Sequence, residues 1–161
     1  MGDGADAIDL TMTSDREVTM TRIFDAPREE VFQMTIDPAL VPEWWGPSIL
    51  TTMVDTMDVR VGGKWRYVQH DAEGTEYAFH GAYLEVDPPG RLVYTFEYEG
   101  MPGDVMVETA VFEEVDGKTM MTVTDLFPSK EARDASLAAG MEAGARESMD
   151  RFARLLAARP R

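Results

Sequence analysis

The 161-residue chain has no cysteine. Disulfides, thiolate metal sites and a cysteine nucleophile are thereby excluded. Cationic side chains are scarce: 15 lysines and arginines stand against 30 aspartates and glutamates, for a net charge of −15 and a pI near 4.4. Nucleic acid is excluded as a partner, because phosphate binding needs a basic face. Anionic membrane surfaces are disfavoured for the same reason. No run approaches the roughly 18 consecutive apolar residues of a spanning helix. Met1–Leu10 is acidic and lacks the apolar run of a secretory signal. Asp6 stands where a myristoylation signal needs a hydroxyl. The expected location is the cytoplasm. The two histidines, His70 and His80, are not at ligand spacing, so no metal site is expected. Gly62-Gly63 lacks the Lys-Ser/Thr of a phosphate loop, and no Gly-x-Ser-x-Gly elbow exists. No cofactor is expected.

What the chain does have is one long amphipathic stretch at its end, Pro128–Arg159. Ser129 can cap a helix start, and Glu131 places a negative charge in the first turn, where it suits the helix dipole. Leu137, Met141, Ala145, Met149, Phe152 and Leu156 recur at spacings of four and three, one face of a helix. The pattern predicts a single rod of about 29 residues, on the order of 43 Å long. Gly140, Gly144 and Ser148 form a row of small residues beside that stripe. A mid-helix glycine costs about 1 kcal/mol against alanine, so the row implies either close packing or a void.

Upstream, the chain reads as strand and turn. Residues 1–15 are Gly/Asp-rich and aperiodic, and predict a mobile tail. A single domain is expected over residues 16–159. Arg16–Phe24 alternates as a first strand. Pro27 suits the first position of a short helix of about ten residues, which Asp37-Pro38 ends. A second short helix runs from Pro38 to about Trp44. Six more strands follow: Ile49–Asp58, Lys64–His70, Glu76–Val86, Arg91–Tyr98, Val105–Glu113 and Thr119–Leu126. Gly, Pro and Asp turns punctuate them, Asp116-Gly117 being the cleanest hairpin signal. Short turns between consecutive strands imply an antiparallel meander, and one amphipathic rod must cover its apolar face. The fold class is α+β. Alternation puts Trp65, Tyr67 and Gln69 on one side, with Leu92, Tyr94, Phe96 and Tyr98, then Glu108, Ala110 and Phe112, and Met121, Val123 and Asp125.

Several of these pieces resemble a known family. They are Val31-Phe32 with Asp37-Pro38, Trp44-Trp45-Gly46-Pro47, Gly62-Gly63-Lys64-Trp65, Asp71–Tyr77 and Gly81–Pro89. Phe127-Pro128-Ser129 and Gly140–Gly144 through Asp150-Arg151-Phe152 complete the set. Together they resemble the SRPBCC (START/Bet v 1-like) superfamily, and within it the AHSA1-like branch, over about residues 16–157. The resemblance implies a helix-grip fold: a curved antiparallel seven-stranded sheet wrapped on a long C-terminal helix, with two short helices after strand one. It also implies a cavity between helix and sheet, without implying a reaction. Relatives often carry a bulky residue where Ala145 stands, and an apolar one where Gln69 and Glu108 stand. These departures make the interior roomier or more polar.

The expected role is to bind a small hydrophobic or amphipathic molecule, as a monomer or homodimer. The candidate ligand-binding residues are Trp45, Trp65, Tyr67, Gln69, Tyr94, Phe96, Met121, Met141, Gly144 and Ala145. An alternative is a cyclase- or hydrolase-like enzyme using His80 with a pocket carboxylate, Glu108 or Asp125, where burial perturbs acid–base chemistry. A second alternative is a co-chaperone-like interaction module, although the eukaryotic namesake relies on a further domain that 161 residues leave no room for.

Overall fold

The computed structural model describes residues 8–159. Eight strands are present: β1 (Asp9–Ser14), β2 (Glu17–Phe24), β3 (Thr51–Met57), β4 (Lys64–His70), β5 (Glu76–Asp87), β6 (Arg91–Tyr98), β7 (Met106–Val115) and β8 (Lys118–Leu126). Four helices accompany them: α1 (Arg28–Ile36), α2 (Val41–Trp44), α3 (Lys130–Ala138) and α4 (Met141–Ala158). The strands form one sheet in the order β1-β2-β8-β7-β6-β5-β4-β3. Every neighbouring pair is antiparallel. The chain runs β3 to β8 as a meander, and β8 returns to pair with β2. The segment bearing α1 and α2 carries the chain from β2 to the opposite edge. Register shifts near Val54 and Thr56 and near Tyr83 and Glu85 mark bulges, which bend a sheet.

Alternation decides which side is covered. On β8 the pattern is strict, with Thr119, Met121, Val123 and Asp125 buried and their neighbours half-exposed. Trp65, Tyr67 and Gln69 are buried on β4. The inner faces pack against α1, α2 and α4. Phe152 of α4, fully buried, meets the rings of Phe24 and Trp44, each at 4.9 Å between centroids. The Trp44 indole donates to the Met34 carbonyl at 3.1 Å, so this tryptophan plugs the corner where the two short helices meet. Among the described residues, no helix is long and apolar enough to cross a membrane.

Two expectations need correction. The single terminal rod is two helices. Ser129 does cap the first, its hydroxyl accepting from the Ala132 amide at 3.0 Å. At Gly140, however, the backbone turns left-handed, with φ 95° and ψ 23°. Glycine adopts that region without the penalty other residues incur, and there it terminates a helix rather than merely weakening one. The break turns the chain so that α3 and the first residue of α4 serve a smaller core, and the rest of α4 the main one. Leu137 and Met141 pack on Val18, Met106 and Phe127, whereas Phe152 and Leu156 join the main core.

The second correction concerns the N-terminal segment. Residues 9–14 are an edge strand, with Asp9 opposite Thr21 and Leu10 opposite Met20. Backbone pairing holds this strand while most of its side chains stay exposed, so no burial alternation betrays it. The sheet therefore has eight strands rather than seven. Residues 1–7 of the expected tail lie outside the described residues.

Candidate functional site

Between the inner face of the sheet and α4 lies a partly enclosed cavity of about 160 Å³. Trp65, Tyr67, Tyr94, Phe96 and Met121 line it from the strands, Trp45 from the loop after α2, and Ala145, Ser148 and Met149 from α4. The aromatic wall is continuous. Trp65 stands 4.7 Å from Tyr67 and 5.9 Å from Tyr94, the latter at an 87° edge-to-face angle. Trp45 meets Tyr67 at 5.0 Å and 73°. All three separations fall in the range where aromatic pairs attract beyond simple area burial.

The wall turns polar along one line of the sheet. Register places Tyr83 opposite Tyr94, Tyr94 opposite Glu108, and Glu108 opposite Asp125. The Tyr94 hydroxyl donates to Glu108 Oε2. Asp125 is 2% exposed, and its Oδ1 has no hydrogen-bond partner. Burial first, and then the facing Glu108 carboxyl, push the Asp125 carboxyl well above the usual carboxylate range. Burial, followed by the Glu108 charge, likewise holds the Tyr94 hydroxyl above its ordinary value. The buried Asp125 carboxyl is thereby held toward its neutral form directly opposite Glu108.

A second polar element sits elsewhere on the wall. Arg22 of β2 is 5% exposed, and its Nη1 donates to Asp150 of α4 at 2.7 Å. Its guanidinium carbon lies 5.4 Å from the Phe24 ring centre, and its Nε has no partner. The loop carrying Trp45 is tied to α4 by side chains of that helix. The Gly46 amide donates to Ser148 Oγ at 2.9 Å, the Ser48 amide and hydroxyl both donate to Glu147 Oε2 at 2.8 Å, and Arg151 Nη1 donates to the Gly46 carbonyl at 2.7 Å. The Ser48 bonds, backbone first, lower the Glu147 carboxyl below its usual range. Ser148, expected to be small for packing or to leave a void, is thus the acceptor that pins the loop.

The candidate residues divide. Trp45, Trp65, Tyr67, Tyr94, Phe96, Met121 and Ala145 line the cavity, and so does Glu108. Gln69 does not line it: it is buried beneath Gly46, and its amide donates to Thr52 Oγ1 at 3.1 Å. Met141, the first residue of α4, belongs to the second core instead. Gly144 is half-buried with nothing near where a Cβ would stand, and it forms no part of the wall.

His80 is on the other face of the sheet. It pairs in register with Arg66, one residue out of step with the inward Tyr67 and Phe79. Its Nδ1 lies 2.9 Å from Glu99 and its Nε2 3.3 Å from Glu97. Hydrogen bonding from Arg66 first, then from His80, pushes the Glu99 carboxyl down to about 2. The expected union of His80 with Glu108 or Asp125 therefore does not form. Several lining residues were not expected. Ile8 comes from just before β1, Met20 and Arg22 from β2, and Tyr83 and Leu92 from the central strands. The inward alternation of Leu92 was readable, but the contribution of Ile8 depends on an edge strand the pattern hides.

This geometry, an antiparallel sheet closed over a C-terminal helix with a hollow between them, matches known proteins. Residues 25–157 match the family described as Activator of Hsp90 ATPase homolog 1-like protein. The chain belongs to that family. It is thereby a member of the SRPBCC superfamily. Protein Ms6760 of Mycobacterium smegmatis superposes with a TM-score of 0.85 at 26% identity, over 96% of this chain and 100% of that one. A protein of Rhodobacter sphaeroides gives 0.88 at 25% identity, over 96% and 100%. The AHSA1 protein of Silicibacter pomeroyi gives 0.73 at 24% identity, over 88% and 97%, a likeness of fold alone. No curated protein sequence matches the chain. Family membership accords with a ligand-binding or helper domain and specifies neither a ligand nor a reaction.

Proposed function

We propose that this AHSA1-like chain is a binding protein that holds one compact, largely apolar small molecule between its sheet and α4. The observation that carries this reading is the aromatic cavity itself. A dry apolar cavity of about 150 Å³ is enough to take up benzene, whereas drug-sized ligands occupy roughly 300–1,000 Å³. At about 160 Å³, this hollow suits a guest with a single ring and is too small for a sterol or a lipid chain. The tied loop and the packed aromatic wall favour a largely preformed site. In this reading the protein acts in the cytoplasm, as a monomer or homodimer. The enzyme reading through His80 draws no support from the site, since that side chain faces away from it.

The test is uptake of monocyclic aromatic compounds, followed by native mass spectrometry and by chemical-shift changes of residues on the cavity wall. Uptake is expected in the wild type. Ala145→Phe, which fills the hollow from α4, is expected to stay folded and to bind at least about tenfold more weakly. A wild-type protein that takes up no such guest at millimolar concentration overturns the proposal. So does an Ala145→Phe variant that binds as well as the wild type.

A further inference from the structure

We infer that the guest is a small organic cation, a protonated amine on a compact apolar body, with its ammonium group held by Glu108 inside the aromatic wall. This rests on the binding role proposed above and names the chemical class of the guest. Three independent features lead to it.

The first is a carboxylate that no cation among the described residues pairs with. Glu108 and Asp125 face each other across β7 and β8, and the Tyr94 hydroxyl donates to Glu108. With Asp125 held toward its neutral form by burial, the charge facing the cavity is that of Glu108 alone. Asp125 keeps a buried oxygen without a hydrogen-bond partner. A charge withdrawn from water and left uncompensated is costly, and a cationic guest would supply the compensation. The cation among the described lining residues is Arg22, and it is already engaged with Asp150 at 2.7 Å. Arg22 pairs with Met121, four positions along β8 from Asp125, or roughly 13 Å at the usual rise of a strand. It therefore sits at the other end of the wall, away from the carboxyl pair.

The second feature is the wall beside the carboxyl pair. Trp65, Tyr67 and Tyr94 surround that end of the cavity, with Trp45 and Phe96 behind. Ring faces attract cations, tryptophan most strongly, and desolvation strengthens the attraction. An aromatic enclosure containing a single carboxylate charge therefore favours an ammonium group over a neutral or anionic one.

The third is the field of the whole molecule. A net charge of −15 raises the local concentration of cations and repels anions.

Calorimetric titration at pH 7 with benzylamine, benzyl alcohol, toluene and benzoate tests the inference. Benzylamine is expected to bind about ten- to hundredfold more tightly than benzyl alcohol or toluene, the range of a hydrogen bond to a charged group. Benzoate is expected to bind most weakly. Glu108→Gln should reduce benzylamine to the affinity of benzyl alcohol. Asp125→Asn retains the Glu108 carboxylate and should retain the preference, which keeps the test decisive if Glu108→Gln fails to fold. Benzylamine binding no more tightly than toluene, or benzoate binding best, overturns the inference while the hydrophobic-host reading stands. A benzylamine preference that survives in folded Glu108→Gln also overturns it. If none of the four compounds binds, the host reading fails, and this inference fails with it.

Discussion

Replacing Asp125 by asparagine probes the buried carboxyl directly. Asparagine keeps the shape of the carboxyl and carries an N–H that can donate toward Glu108, as a protonated carboxyl would. It cannot ionise. In the unfolded chain the aspartate titrates near 3.9. In the folded protein burial and Glu108 raise it well above that. Between those two values the native state holds a proton that the unfolded state has released. Wild-type stability must therefore fall as pH rises, starting near pH 4 and continuing until the native carboxyl itself ionises. The slope is about 1.4 kcal/mol per pH unit for one proton. From pH 5 to pH 7 the loss is at most about 3 kcal/mol, a large share of the 5–15 kcal/mol that stabilises a typical domain. The Glu99 carboxyl, pushed down to about 2 by Arg66, contributes in the opposite sense. Its stabilisation is complete above the unfolded value and is lost only toward lower pH, so it does not disturb the window from 5 to 7. Urea unfolding followed by tryptophan fluorescence at pH 5, 6 and 7 gives the comparison. The stability of Asp125→Asn relative to wild type should climb as pH rises, by at most about 1.4 kcal/mol for each pH unit. Parallel pH profiles for the two proteins would refute the argument, because they would mean that Asp125 titrates alike in both states.

Two further substitutions test the loop that carries Trp45. Gly46→Ala should lower stability by at least about 1–2 kcal/mol, because the backbone there is left-handed at φ 81°. A Cβ would also approach Gln69 Nε2 to 2.0 Å. For a chain of this size the backbone cost alone is roughly 2–8 °C in Tm, and an unchanged melting temperature would contradict it. Ser148→Ala removes the acceptor for the Gly46 amide and should cost about 1–3 kcal/mol. Hydrogen exchange at that amide should accelerate; unaltered protection would show that the loop is held by other contacts.

Much of the fold was legible because local chemistry and global packing agree. Lys64–His70 and Arg91–Tyr98 are bounded as their turn residues dictate. The caps at Ser129 and Asp37-Pro38 act through their own backbone neighbours, so neither depends on distant contacts. The inward set on β8, Asp125 included, follows from strict alternation. His80 misleads because Ala78, Ala82 and Leu84 share its side and resemble a core face, although Leu84 is 47% exposed. Gly140 misleads because a glycine in an amphipathic run can continue the helix or end it. The choice depends on whether the residues on either side find one core or two.

The sequence alone therefore determined the class of architecture, the order of its elements and the presence of carboxyls on an apolar face, because periodicity and turn chemistry act over a few residues. Only the tertiary structure decided that Glu108 and Asp125 stand opposite each other, that His80 is excluded, and that the hollow is of single-ring size. Those outcomes depend on strand register and on the seat of α4, which contacts between residues far apart in the chain establish together.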